Sequence, residues 1–531
     1  MPVFNNELQD DPLALDACPS FSGGQVSFKR ANLLDATQAA ALENVSILLS
    51  GEARKRRGSR NVGPGYVGAA ATRIQGMLYF DTVVDDKLVA FCAGKALAFD
   101  GLNWSQIFDA AISDTAEIID CCQLTDLIYW TDSDIVGIRE WDGTTVSTVA
   151  GSPKARVLSV HGTRLVASAI ADVPDAVDFS DLLDGGTWNT TTQRLRIGIG
   201  DGDPVVGHIS WQETGVLVFN RQSVWLINAD PQADVADFGI KLVHGTVGCV
   251  ARKTIAQVGQ DVWFLSRSGV QSVQKQLATD NNQITVPVSQ AVQDVIARIR
   301  WDQASKACAR FYNNQYLLSV PIASNEPDTV LCFNTLTGGW TIIAGWDACF
   351  FLEQPYEGQT RLLIGTNQGF LREWLDYLPE DSEPADAYKE GYAGLDLPFD
   401  LPVTLLPTPE VESRILTRAM IFNEPINPKS GFYGEMEYVL SDVEFSVNAI
   451  LDGRESVEVA TVANSISQTI LPTTLPFEFP AQAGWARRKF PLHHLRPFRE
   501  LQWEVLCPVG KLIVRDITVS AFVDTLELRN Y

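Results

Sequence analysis

The stretch Asp201–Asn228, DGDPVVGHISWQETGVLVFNRQSVWLIN, decides the architecture. Val205–Trp211 is an apolar run, Gln212–Gly215 carries turn chemistry, and Val216–Phe219 is apolar again. Asn220–Ser223 turns once more, and Val224–Ile227 forms a third apolar run. Short β-branched and aromatic runs separated by Gly, Asn, Asp and Ser predict antiparallel strands joined by tight hairpins. A three-stranded meander cannot bury both of its faces alone, so it has to stack on others like it.

The same pattern recurs at Asp86–Phe99, Thr125–Ile138, Gly162–Ile170, Gly259–Val273, Asn313–Val320 and Thr360–Leu371. Second strands begin near Leu88, Leu127, Leu165, Val216, Val262, Leu317 and Leu362, at steps of 39, 38, 51, 46, 55 and 45 residues. Repeats of about 40–50 residues with several short strands each predict the blades of a β-propeller, six or seven in number. A generic antiparallel sandwich is the alternative, and seven spaced units in one run favour the propeller.

At 531 residues the chain exceeds a single core, so two or three domains are expected. Four methionines and short, punctuated apolar runs argue against long helices. No run approaches the ~18 apolar residues of a membrane span. The start, MPVFNNELQDDPLAL, is acidic where a secretory signal is basic. Nine cysteines without a CxxC pair read as small buried hydrophobes of a reducing compartment, with vicinal Cys121-Cys122 the one oddity. The net charge is −24, from 41 basic and 65 acidic residues. A surface this acidic repels phosphate, which predicts weak DNA binding yet suits a protein that DNA slides past.

Along the chain, residues 1–65 are expected to form an N-terminal arm with a short helix and a basic loop. The helix is placed at about 35–44, where Asp35-Ala-Thr-Gln38 reads as a capping box before an Ala-rich run. Residues 66–376 are the propeller. Residues 377–412, rich in Pro and acid, read as a linker or boundary. Residues 413–531 predict a C-terminal antiparallel β-sandwich of jelly-roll type, with an Asp-Gly hairpin at Asp452-Gly453.

Several of these segments carry a family likeness. LLDATQAAALENV (Leu33–Val45) with RKRRGSR (Arg54–Arg60), VDFSDLLDGGTWN (Val177–Asn189), Gly200–Ile227 and Val247–Val273 together resemble the tail nozzle (tail tubular B-like) proteins of short-tailed bacteriophages. The likeness spans roughly residues 25–375, and its motifs are structural rather than catalytic. It implies a virion tail component assembled in the bacterial host cytoplasm, a homo-oligomer and specifically a hexamer. Such a ring sits below the portal and adaptor ring, carries tail fibres or spikes, and lets double-stranded DNA pass without tight binding.

Arg54, Lys55, Arg56, Arg57 and Arg60 place five positive charges within seven residues of an acidic chain. Docking to a neighbouring subunit or ring is the leading expectation, ahead of a solvated loop and of contact with DNA phosphate. Arg487, Arg488 and Lys489, beside Trp485 and Phe490, form a weaker basic patch that reads as alternation of core and surface rather than base stacking. Ser180–Trp188 resembles an Asp-box turn with one extra residue and reads as a hairpin. The Gly-rich run Arg196–Asp203 fails the dinucleotide pattern and lacks the calcium-loop Glu. The five histidines show no zinc spacing, and neither GxSxG nor a P-loop occurs. No catalytic residue, metal or cofactor is therefore expected, and the chain reads as a non-enzyme. A propeller adhesin and a propeller glycosidase remain the rival functions.

Overall fold

Seven antiparallel sheets follow one another between residues 74 and 374. The computed structural model describes residues 13–523 except 64, 69–70, 83–85, 102, 109–117, 132–135, 279–285, 357, 378–386, 394–409, 424–425, 442–443 and 464–484. The first sheet holds Ile74–Asp81, Asp86–Cys92, Lys95–Phe99 and Trp104–Phe108. The second holds Asp120–Leu124, Leu127–Thr131, Arg139–Trp141 and Val146–Thr148. The third runs Ala155–His161, Arg164–Ile170, Ala176–Asp181 and Asp184–Trp188, and the fourth Val205–Trp211, Gly215–Asn220, Val224–Asn228 and Gly239–His244. The fifth has three strands, Ala256–Val258, Asp261–Ser266 and Gly269–Ser272. Cys308–Tyr312 and Gln315–Val320 open the sixth; Ala348–Tyr356, Gln359–Thr366 and Leu371–Trp374 open the seventh.

These sheets close into a ring. The first strand of one sheet lies against the first strand of the next, and Ala348–Tyr356 of the seventh lies against Ile74–Asp81 of the first. At the join of the fourth and fifth sheets a shared core of Phe219, Val224, Val262 and Phe264 does the same work. The protein therefore contains a seven-bladed β-propeller. Each second strand sits between neighbours on both faces, which is why Val216, Leu217, Val218 and Phe219 are all buried and the sequence there is continuously apolar. Adjacent blades share aromatic pairs such as Phe91 with Trp130, 5.6 Å between ring centroids. The N-terminal strand Ser59–Asn61 pairs with Leu371–Trp374, adding a strand from upstream of the first blade to the last one.

The chain divides into two compact units, Gly58–Cys332 with Ala344–Pro409, and Met1–Arg57 with Phe333–Ile343 and Glu410–Tyr531. The second of these is a β-sandwich. One sheet has Lys429–Ser441, Lys511–Val523 and Ala486–Pro491 at its centre and edge, extended by Leu13–Cys18, Ala53–Lys55 and Val45–Ile47. The other aligns Gln38–Glu43, Ser413–Thr417, Leu501–Cys507, Glu444–Leu451 and Glu455–Ala463. Phe21, Leu42 and Val45 share its core with Phe445, Trp503 and Val519.

Two expectations are corrected here. Residues 13–57 are not a separate arm but contribute five strands to the sandwich, so that unit is not purely C-terminal. The helix expected at 35–44 is the strand Gln38–Glu43, preceded by a 3-10 turn at Ala31–Leu33. Half of the capping box does form, since the Asp35 N–H donates to the Gln38 side chain at 3.1 Å. Ladder pairing with Ser413–Thr417 and full burial of Ala39 and Leu42 then outweigh the helix propensity of alanine. The proline-rich boundary lies mostly outside the described residues; within its described part Glu390–Ala393 runs parallel to Ser59–Asn61.

Candidate functional site

The basic segment is the site the sequence singles out, and the structure turns it inward. Ala53–Lys55 pairs with Val45–Ile47 on one side and with Ile513 and Val514 on the other. Arg56 and Arg57 are each 1% exposed and Lys55 likewise. The Arg56 Nε donates to Asn44 Oδ1 at 2.8 Å, and its Nη1 to the Arg57 carbonyl at 3.0 Å. Lys55 Nζ lies 3.9 Å from Cys507 Sγ, and burial holds its ammonium below the usual range. Side chains so enclosed touch neither a DNA phosphate nor a neighbouring ring. The docking, solvated-loop and DNA expectations for Arg54–Arg57 are thus replaced by an internal structural role.

Arg60 stands apart on the propeller strand Ser59–Asn61. It is ion-paired with Glu373, which is fully buried and is also held by Arg361 Nη1 at 2.6 Å. Arg361 in turn stacks 4.0 Å from the Tyr356 ring centroid and donates to Gln354 Oε1. This Arg–Glu–Arg group fastens the N-terminal strand to the last blade.

The second basic patch is a surface. Ala486, Arg487, Arg488 and Lys489 are exposed on the outermost described strand of their sheet, while Phe490 enters the core 5.9 Å from Trp503. Arg487 Nε is 3.0 Å from Glu435, and Lys489 lies over the Tyr433 ring at 4.6 Å. Core-and-surface alternation accounts for Phe490 but not for three consecutive cations.

The propeller axis holds a cluster that charge-run inspection misses. Lys253, on the connection between the fourth and fifth blades, is ion-paired with Asp120 at the start of the second blade. Its Nζ also lies 4.8 Å from the ring centroid of Phe350 on the seventh blade. Arg252 donates to the Ile118 carbonyl at 2.7 Å and to the Arg156 carbonyl of the third blade. A residue carried by one sector that touches the second and seventh sectors has to cross the axis. Burial pushes the Asp120 carboxyl up, but Lys253 and Arg252 outweigh it and hold it below the usual range.

Between the third and fourth blades two histidines form a polar seam. His208 Nδ1 and Nε2 meet Ser168 Oγ at 2.6 Å and Ser159 Oγ at 2.8 Å. His161 meets Ser210 Oγ at 2.8 Å and the Ala229 carbonyl at 2.7 Å. Burial lowers the His208 pKa to about 4. The Ser180–Trp188 segment is a hairpin with Ser180 opposite Trp188. In the Gly-rich run, Asp203 accepts from the Gln222 N–H and the Ser223 hydroxyl and fixes a turn. Among the described residues no three His, Cys, Asp or Glu side chains are grouped to hold a metal ion, and no helix is long and apolar enough to cross a membrane.

No family model and no curated protein matches the chain. Solved structures do. The WD40 β-propeller domain of Doa1 aligns at 11% identity and a TM-score of 0.37, over 60% of this chain and 96% of that one. BBS1N, solved in complex with ARL6DN, aligns at 10% identity and 0.36 over 60% and 96%. The extracellular domain of the putative hybrid two component system BT4673 from B. thetaiotaomicron aligns at 10% and 0.40 over 61% and 40%. The architecture itself rests on the closed ring of sheets described above.

Proposed function

We propose that this chain is a structural virion protein, the tail nozzle of a short-tailed bacteriophage, and not an enzyme. In this reading it assembles as a hexamer below the portal and adaptor ring, carries tail fibres or spikes, and forms the distal conduit for DNA during ejection. The observation that supports it best is the likeness of Leu33–Val45, Arg54–Arg60, Val177–Asn189, Gly200–Ile227 and Val247–Val273 to that family. Those segments serve framework roles, as sandwich strands, blade strands and the axial connection. The conduit in this reading is the lumen enclosed by the ring of subunits, because Arg252 and Lys253 occupy the axis of each propeller. A net charge of −24 keeps passing DNA hydrated and mobile. Negative-stain imaging of the chain incubated with its adaptor ring tests the proposal. Six-fold rings support it; a persistent monomer that cleaves glycans refutes it.

A further inference from the structure

At one end of the propeller the strand-joining turns of blades two to four carry acid and no base. In an up-and-down blade the first-to-second and third-to-fourth strand turns emerge at the same end, and here they touch. The Leu183 N–H donates to the Thr163 carbonyl at 2.8 Å, and the Ala229 N–H to the Thr214 carbonyl at 2.7 Å, joining the two turns of the third and of the fourth blade. His161 reaches the Ala229 carbonyl, so the two blades share this end. The turns at residues 125–126, 142–145, 182–184, 212–214 and 229–238 contain no Lys or Arg. They expose Asp126, Asp142, Asp184, Glu213, Asp230 and Asp234. Of the nearby cations, Arg164 is buried and donates to the carbonyls of Ser180 and Ala233, Lys87 lies over the Trp141 ring, and Lys241 stands on the strand that leaves the fourth blade's turn, so the exposed acids outnumber the exposed bases there.

The opposite sign stands on the sandwich. Arg487, Arg488 and Lys489 are consecutive and exposed on the outermost described strand of a sheet, where a chain of net charge −24 offers few comparable rows. Consecutive strand residues point to both faces, so this row presents cations from either side of the edge. Two different patches of opposite sign on one chain make a heterologous contact, the kind that closes rings when its rotation permits.

We propose that the acidic turn end of blades two to four in one copy receives the cationic edge strand Ala486–Pro491 of a second copy. The occupant is this chain because the complementary charge is on it, in an exposed row where Arg487 is shared with Glu435 and Asp516 while Arg488 and Lys489 lie over the Phe490 and Tyr433 rings. The contact sets register and encounter rate, and salt weakens it. The inference rests on the oligomeric part of the proposed function and not on the virion assignment. A chain that assembles through other surfaces overturns the patch and leaves the conduit standing.

The test is a charge swap read by sedimentation velocity of the full chain at low and high salt. Arg488→Glu with Lys489→Glu, and separately Asp126→Lys with Glu213→Lys and Asp234→Lys, each weaken self-association by roughly a hundredfold. Their melting temperatures stay at the wild-type value, since these side chains are exposed. Combining all five changes restores association. Failure of the combined variant to recover, association unchanged in the single-side variants, or a wild-type chain monomeric at every concentration overturns the proposal. So does a titration in which the strand variant loses binding of a duplex oligonucleotide while self-association is unaltered.

Discussion

Lys253 and Asp120 are ion-paired across the propeller axis, one on the connection between blades four and five, the other at the mouth of blade two. The pair ties together sectors that the strand ladders do not join directly. Asp120 is nearly fully buried, so loss of its charge leaves Lys253 and Arg252 without their carboxylate. Removing one partner of a buried ion pair costs about 3–5 kcal/mol. Asp120→Asn is therefore expected to lower the urea midpoint of the propeller unit by a corresponding amount. Unchanged unfolding would show that the axial contact holds nothing together.

The buried basic segment gives the reverse of what a charge run suggests. Arg56→Ser removes the buried hydrogen bonds to Asn44 Oδ1 and to the Arg57 carbonyl, a loss of about 1–3 kcal/mol. Folding is expected to suffer, and the assembly of whatever fraction folds is expected to be normal. Differential scanning calorimetry with size-exclusion chromatography separates the two. A wild-type melting temperature with lost assembly would restore a docking role.

At the last blade, Glu373 lies between Arg60 and Arg361. Glu373→Gln is expected to cost about 3 kcal/mol, and Glu373→Gln combined with Arg60→Met to cost less than the sum of the two single changes. Chemical denaturation of the four proteins of that cycle reads the coupling. Additivity would mean that the N-terminal strand is fastened by its ladder alone.

His208 predicts acid sensitivity with a definite sign. Its folded pKa, about 4, lies below the ordinary 6.5, so the unfolded chain binds more protons between those values. Stability contributed by the neutral ring is complete above pH 6.5 and is lost as pH falls toward 4, by about 3 kcal/mol in all. Comparing the pH dependence of unfolding for wild type and His208→Gln isolates that slope. Identical slopes would refute it.

In the sandwich, Gly434 faces Trp503 so closely that an added Cβ would sit 2.1 Å from its Cζ2 atom. Gly434→Ala is expected to destabilise by about 1–3 kcal/mol through overpacking. Pairing it with Trp503→Phe should recover part of that loss in thermal melts.

The seven second strands were legible because burial on both faces demands continuous apolar runs, and Leu88 through Leu362 mark every one of them. Blade number followed once the ring was seen to close at Ala348–Tyr356 and Ile74–Asp81. The N-terminal strands were not legible. Ala39, Ala40 and Ala41 carry high helix propensity, and only pairing with Ser413–Thr417, nearly four hundred residues away, makes them a strand. Arg54–Arg57 misled for a related reason, since a charge run signals solvent unless distant strands enclose it. Asp120 is far in sequence from Arg252 and Lys253, and they meet only because the ring brings the second and seventh sectors and the connection into the fifth to one axis. No local pattern announces such a meeting.

A cryo-electron microscopy map of the chain assembled on its adaptor ring tests the central claim most directly. The account predicts six copies around a common lumen, each a seven-bladed wheel with Arg252 and Lys253 filling its own axis. A map with DNA threaded through the axis of a single propeller, or with a solitary copy at that position, would contradict it.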